Sequence, residues 1–380
     1  MTSDTTPVIV AAARTPQGTR GGVLSGLRSE DLSVTVVDEL LARTGLGSAD
    51  VDDLSWGCAQ QTGEQGNNLA RAVTLLSELG ESVPAATINR WCASSAAAIT
   101  RAADAVAAGQ RECVVAGGVE NMSRVGNLDN LHSIHPALGD RYGVDRIRMG
   151  NTAEAVAEAY AVRRAAQDEY ALRSHRRAAE ATDEGRFDDE IVPVETDDGT
   201  VTEDEGIRRE TSLDALADLA PVFDDGGTVT AGNASQISDG AAGVVVTSRA
   251  FADDRGLAVL AEVGAHEVAG VDPTMMGIGP VPAVRGLCAR TGRDPGDYDL
   301  VELNEAFASQ CLHCQRELGF DDTSYNVNGG AIAIGHPLGA SGARLPVTLL
   351  HEMQRRGAEL GLATECVGFG QGQAIEFVAG

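Results

Sequence analysis

Four side chains in this 380-residue chain combine a reactive type with a setting that could support covalent chemistry. Cys92 follows Asn89-Arg90-Trp91, where a short apolar strand over 85–88 gives way to an alanine-rich helix. A helix N-terminus offers unpaired N–H groups and partial positive charge, which favour thiolate over thiol and are expected to lower this cysteine's pKa. The placement suits a nucleophile, and it also suits an ordinary packed cysteine. His336 stands between Gly335 and Pro337 in a run that begins at Asn328-Gly329-Gly330 and ends at Gly339-Ala340-Ser341-Gly342. Those glycines let another group approach the ring closely, which favours a working histidine over a structural one. Cys366 opens Cys366-Val367-Gly368-Phe369-Gly370-Gln371-Gly372. The spacing imitates a dinucleotide loop, but no helix and acidic ribose-binding residue follow it. Asn304, within Glu302-Leu303-Asn304-Glu305-Ala306-Phe307-Ala308, lies at an expected strand-to-helix turn. It reads either as a helix cap or as a polar donor facing a pocket. Cys311-Leu312-His313-Cys314 has metal-ligand residue types but no second ligand pair, and reads as helix interior, so no metal is expected.

Positions this far apart need a scaffold that gathers them. Apolar spacing predicts a strand over 7–12, a helix through Leu32, Val36, Val37, Leu40 and Leu41 that stops at Gly45, and a strand over 54–58. A helix over 68–79 ending at Gly80, the strand over 85–88, the helix after Cys92 running to Gly109 and a strand over 113–118 complete the alternation. After Glu120 the rhythm breaks: residues 121–150 lack a period, helices are expected near 152–163 and 166–184, and a hairpin over 191–203 turns at Asp197-Asp198-Gly199. A strand over 243–247 restores the alternation, which resumes fully from Leu257. The expectation is an α/β protein of two similar halves. Residues 1–121 plus 237–258 would form the first, 259–380 the second, and 122–236 an inserted loop domain.

Composition narrows the chemistry. Asp plus Glu number 56 against 29 Lys plus Arg, a net charge of -27, which argues against a nucleic-acid surface. No lysine occurs, so Schiff-base and phosphate-loop lysine chemistry are excluded and every cation is arginine. The acidic residues form small clusters at expected turns and read as a solvated surface. We also entertain adaptation to high salt; a melting curve unchanged between low and molar KCl would remove that idea. The apolar run over 8–13 is too short for a secretory signal, and nothing approaches the ~20 apolar residues of a membrane span. Seven cysteines, an odd number, suit reduced thiols in a cytoplasmic protein.

The ordered motifs resemble the thiolase family. Asn89-Arg90-Trp91-Cys92, Asn304-Glu305-Ala306-Phe307, Gly335-His336-Pro337 and Cys366-Val367-Gly368 occur in that family's order. Asn121-Met122-Ser123, Met149-Gly150 with Thr152-Ala153-Glu154, and Ala231-Gly232-Asn233-Ala234-Ser235 match as well, and the similarity runs from Arg14 to Glu376. The resemblance implies a duplicated five-layered α-β-α-β-α core, a homodimer or homotetramer, and coenzyme A thioesters as substrates with no permanently bound cofactor. Cys92 would carry the acyl group, His336 would act as general base and Cys366 would shuttle a proton. Asn304 with His336 would build one oxyanion site, and the backbone N–H groups of Cys92 and Gly368 a second. Ser235 would lie near the pantetheine, Arg208 near the nucleotide end with Arg209 as second candidate, and Met149 by the acyl pocket. Such a set fits the chemistry: cleavage next to a thioester needs a soft nucleophile, a base and a stabilised enolate oxygen.

Two departures bear on specificity. Arg148 stands where many biosynthetic members have histidine, and Ala155 replaces a common asparagine. Gly368-Phe369-Gly370-Gln371-Gly372 leans toward the degradative, 3-ketoacyl-CoA pattern. A ketoacyl synthase of the same superfold would use two histidines and a lysine, which this chain lacks. A non-catalytic acyl-CoA-binding subunit would have lost a catalytic residue, and all four are present.

Overall fold

The computed structural model describes residues 4–125 and 134–380, so the aperiodic stretch over 121–150 lies partly outside the described residues. β1 (Pro7–Arg14) alternates between two cores, with Val8 and Val10 in one and Ile9 and Ala12 in the other. Burial on both faces is why its sequence is a continuous apolar run. After β2 (Gly18–Thr19), α1 (Ser29–Thr44) buries the expected stripe and ends where Gly45 adopts a left-handed φ of 68°. β3 (Asp53–Gly57), α2 (Leu69–Leu76), β4 (Ala85–Ile88), α3 (Ser94–Ala107) and β5 (Cys113–Asn121) follow. α2 is shorter than its pattern suggests. Ser77 is extended, which leaves Leu75 and Leu76 exposed, while Leu79 is buried from the following turn and prolongs the apolar spacing.

The next elements stand outside the large sheet. They are α4 (Met122–Val125), α5 (Pro136–Tyr142), α6 (Met149–Ala159), α7 (Arg164–Asp183), the hairpin β6 (Val194–Thr196) with β7 (Gly199–Val201), and α8 (Leu213–Ala217). Thr196 pairs with Gly199 around Asp197-Asp198, as expected. Arg14, wholly buried, fastens this region to β1. Its Nε donates to Glu190 at 2.6 Å and its Nη1 and Nη2 donate to Asp204 at 2.7 and 2.9 Å.

The chain rejoins the sheet at β8 (Ser238–Ser248) and continues through α9 (Arg249–Arg255), β9 (Ala261–Gly270), α10 (Pro280–Thr291) and β10 (Leu300–Leu303). α11 (Ala308–Leu318), α12 (Leu338–Arg356), β11 (Leu360–Val367) and β12 (Gln371–Ala379) complete it. The strand order is β4-β3-β5-β8-β1 followed by β9-β12-β11-β10. Among the described residues, the strand pairing between the two parts is Val8 opposite Glu262 and Ile9 opposite Ala261. Each part repeats one scheme. A parallel pair (β3 with β5, β10 with β11) is followed by antiparallel β8 and β1, or β12 and β9.

α3 and α12 pack on each other between the parts, α1 and α2 cover one outer face, and α10 and α11 cover the other. The result is the expected five layers, α-β-α-β-α. Small residues permit this closeness: a Cβ on Gly342 of α12 would sit 2.5 Å from the Ala96 nitrogen of α3. No helix among the described residues is long and apolar enough to cross a membrane.

Candidate active site

The central helices bring the reactive residues to one place because both begin at the same end of the core. Cys92 lies just before α3, is 7% exposed, and packs with Ala59, Met122 and Leu338. Leu338 is the first residue of α12, two positions beyond His336. The backbone N–H groups of Cys92 itself and of Gly368 point at the Cys92 sulfur and lower its pKa. Burial, then Glu365 and Glu120, outweigh them and push the thiol up to about 12. The expectation that the helix end would lower this pKa is therefore wrong for the resting protein. Desolvation in a closed core exceeds the benefit of two N–H donors.

His336 is buried, and its N–H donates to Ser238 Oγ at 3.1 Å. Its Nδ1 lies 2.6 Å from Ser341 Oγ, and Asn304 Nδ2 approaches Nε2 at 3.2 Å and Nδ1 at 3.4 Å. Burial, then the nearby Arg344 charge, brings its pKa down to about 3, so the ring is neutral near pH 7. Asn304 is not a helix cap: Phe307 is the first flanking residue of α11, and the Asn304 side chain turns to the histidine. The Asn304 N–H donates to Thr364 C=O at 3.0 Å, tying this turn to β11.

Cys366, next to last in β11, is fully buried beside Phe307, Met276 and Met149. Burial and then the charge of Cys92 push its pKa well above the usual thiol range. A Cβ on Gly368 would meet Met149 Cε at 3.2 Å and the Trp91 ring at 3.5 Å, so the glycine keeps open the space beside Cys92. Trp91 and Phe369 flank this spot with positive φ of 48° and 61°, and their rings meet edge to face at 5.0 Å. Bulky residues rarely adopt that backbone, and strain of this kind concentrates at functional sites.

The remaining candidates are more peripheral. Ser235 is half-buried and its N–H donates to Ala306 C=O at 2.9 Å, which places it against the Asn304–Phe307 turn. Arg208 is exposed and forms no ion pair among the described residues, whereas Arg209 is held by Asp183 and Glu203. Cys311 and Cys314 lie on the buried face of α11, and His313 stacks on Tyr160 at 3.6 Å. Among the described residues no group of three or more His, Cys, Asp or Glu is arranged to hold a metal ion.

Several buried polar residues near the site escaped the sequence reading. Glu120, at the end of β5, accepts N–H groups from Ala59 at 2.9 Å, Gln60 at 3.2 Å and Gly339 at 2.9 Å. It thereby fixes the start of α12 to the Cys92 side. Arg344 of α12 pairs with Glu302 at 3.1 Å, while its Nε and Nη2 have no hydrogen-bond partner among the described residues. Glu365, next to Cys366, is buried with Oε2 unpartnered among the described residues. Burial raises Glu302 to about 8 and Glu365 well above the carboxylate range. A charged residue in the apolar strand run over 360–367 was the available signal.

Sequence comparison gives both the class, an acyltransferase, and the family. The description "Thiolase, N-terminal domain" matches residues 7–250 and "Thiolase, C-terminal domain" matches 257–379. The chain belongs to the thiolase family. It is 47% identical over 381 residues to a 3-ketoacyl-CoA thiolase of Marinomonas sp. (strain MWYL1), covering 97% of each chain. It is 45% identical over 387 residues to the 3-ketoacyl-CoA thiolase of Bacillus subtilis, covering 97% of this chain and 98% of that one. Among solved structures it resembles the Bacillus anthracis acetyl-CoA acetyltransferase, with TM-score 0.92, 40% identity and full coverage of both chains. The human mitochondrial 3-ketoacyl-CoA thiolase gives TM-score 0.91 and 38% identity over 99% of both.

Proposed function

We propose that the protein cleaves 3-ketoacyl-CoA with coenzyme A to acetyl-CoA and a shortened acyl-CoA, or runs the reverse condensation, through an acyl-enzyme on Cys92. The observation that carries this reading is the convergence on one thiol of a helix end, the Gly368 N–H and a second cysteine, with a neutral histidine at the start of the facing helix. The relatives' names support the 3-ketoacyl, degradative direction, as in β-oxidation.

At rest the proton sits on sulfur, because the thiol is pushed up and the imidazole down. His336 takes that proton as Cys92 attacks the 3-keto carbon. The N–H groups of Cys92 and Gly368 then hold the oxygen that becomes negative, and such donors are worth ~3–4 kcal/mol each. When the carbon–carbon bond breaks, the enolate of acetyl-CoA leaves, Asn304 and His336 stabilise its oxygen, and Cys366 protonates its α-carbon. The Cys366 thiolate next takes the proton of incoming coenzyme A, whose sulfur attacks the acyl-enzyme; the Cys92–acyl bond breaks, and the Cys92 thiolate recovers its proton from His336. A raised Cys366 pKa suits the first role, since a thiol that ionises reluctantly is protonated when the enolate forms.

Met149 borders the acyl group, Ser235 the pantetheine, and the free Arg208 the phosphates, within an inserted coenzyme A-binding segment over 122–236. We also place the protein in the cytoplasm as a homodimer or homotetramer. The test is to quench a reaction with acetoacetyl-CoA and weigh the protein: one acetyl group on Cys92 is expected. If Cys92→Ala still cleaves acetoacetyl-CoA, the nucleophile is elsewhere. Rates with 3-ketohexanoyl-CoA and longer esters fix the chain length.

A further inference from the structure

The base has a partner that the mechanism above does not use. Ser341 is buried in the first turn of α12, five residues after His336. Its Oγ lies 2.6 Å from His336 Nδ1 and 2.8 Å from the carbonyl oxygen of Pro337, one helical turn back. We propose that Ser341 is the positioning residue that keeps the His336 ring proton on Nδ1, so that Nε2 is the nitrogen that receives the Cys92 proton. The inference rests on the roles given above to Cys92 and His336.

The reasoning is a count of protons. A neutral imidazole carries one N–H, and its partners decide which nitrogen holds it. Ser341 has one hydroxyl proton, which donates back to the Pro337 carbonyl in the usual manner of serine within a helix. Its lone pairs then face Nδ1, which must be the protonated nitrogen. The Asn304 amide stands nearer the other nitrogen, with Nδ2 3.2 Å from Nε2 and 3.4 Å from Nδ1. A proton on Nε2 would set two donors against each other, whereas a lone pair there accepts from the amide. The Ser341 contact therefore selects the tautomer, and the shorter of the two Asn304 contacts agrees with it.

The reaction balances on this arrangement. The Cys92 S–H bond breaks, its electron pair forms the carbon–sulfur bond, and the proton goes to Nε2. The resulting imidazolium donates from Nδ1 to Ser341 Oγ, whose own O–H keeps donating to the Pro337 carbonyl. Ser341 gains and loses no proton; it fixes the ring and supports the charge as it appears. Arg344 and burial oppose that charge, so an oriented neutral acceptor is the support this core supplies.

The test has two arms. In protein carrying 15N-labelled histidine, with the His336 signals assigned by their loss in His336→Asn, Nδ1 should be protonated and Nε2 bare at pH 7. The opposite pattern, which would require the Asn304 amide turned over, overturns the proposal. Kinetically, Ser341→Ala should lower kcat by about 10- to 100-fold, a fraction of the ~10²–10⁴ that a base supplies, with KM for coenzyme A little changed. Ser341→Thr, which keeps a hydroxyl, should recover most of the rate. Wild-type kcat in Ser341→Ala, or equal loss in both variants, sinks the idea. Should either variant fail to fold, the NMR result on the unaltered enzyme decides. An enzyme without acyl transfer would refute the proposed function while leaving the tautomer measurable.

Discussion

The two halves of the core use one topology for unlike purposes. In the first, α3 follows β4 and leads into β5; Cys92 stands at the helix entry and Glu120 at the strand end. In the second, α12 leads into β11; His336 stands at the equivalent entry, and Glu365 and Cys366 at the strand end. Glu120 accepts three backbone N–H groups from the loops around it. Among the described residues Glu365 keeps an oxygen without a partner, and Arg344 keeps two nitrogens so. A saturated carboxylate sets geometry, and it does so in the half that holds the nucleophile. Under-partnered polar groups cost stability, and the Arg344 charge adds to burial in holding His336 neutral. Duplication supplied two equivalent helix ends, and the polar residues around them divided the work.

The division can be broken experimentally, beginning where the effect is largest. Cys92→Ala should abolish acylation and reduce turnover by at least ~10⁴-fold, whereas Cys366→Ala should still acylate but exchange no substrate α-proton. Normal exchange in Cys366→Ala would erase the difference between the halves. Arg344→Met should destabilise the protein most above pH 8, by ~3–5 kcal/mol in urea titration at pH 9, where ionised Glu302 loses its partner, and less at pH 7, where burial keeps that carboxyl protonated. The double variant with Glu302→Gln should recover much of that loss; equal stability of the single variant and wild type would mean the pair is slack.

Glu120→Gln should cost ~1–3 kcal/mol, as one oxygen no longer serves all three donors. Glu365→Gln should do the reverse, and the sign follows from its raised folded pKa. The stability that carboxyl contributes is full below the ordinary value near 4.5 and drains away as pH rises toward the folded one. Glutamine does not titrate, so the gain of Glu365→Gln over wild type should widen between pH 5 and 8. A gap that narrows would contradict it. Alkylation of Cys92 by iodoacetamide should keep accelerating through pH 9 with no acidic plateau, since its thiol is pushed up to about 12. The smallest effect lies outside both halves. Arg208→Ala should raise KM for coenzyme A a few-fold, as an exposed charge is worth up to ~1 kcal/mol, and less at high salt; an unchanged KM at every salt concentration would remove it from the site.

Much of the scaffold was legible because local rules decided it. Gly45 ended α1, the Asp197-Asp198 turn formed its hairpin, and apolar runs became doubly buried strands. α2 misled because Leu79 is buried from a turn, and apolar period alone cannot separate a last helical turn from a loop that packs. The reactive residues were readable by type and motif, but their electrostatics were not. The Cys92 pKa depends on Glu365 and Glu120, which are distant in sequence and reach the sulfur only because β11 and β5 are folded against the central helices. Asn304 stands at its predicted turn, yet which way its side chain points was settled by His336 on another element. Arg209 matched Arg208 in sequence and differs only in having Asp183 and Glu203 beside it.

Arg14 has a consequence for chain cutting. Its guanidinium grips Glu190 before the β6–β7 hairpin and Asp204 after it, and backbone bonds from Glu190 C=O and the Glu205 N–H hold the same two arms to residues 14 and 17. The loop between is closed by the core and not by its own tip. A protease that nicks the chain at Asp197-Asp198 should therefore leave two fragments that stay associated and active through gel filtration, separating only in denaturant. New termini could be opened at the same point, making this hairpin the natural place to split or permute the protein.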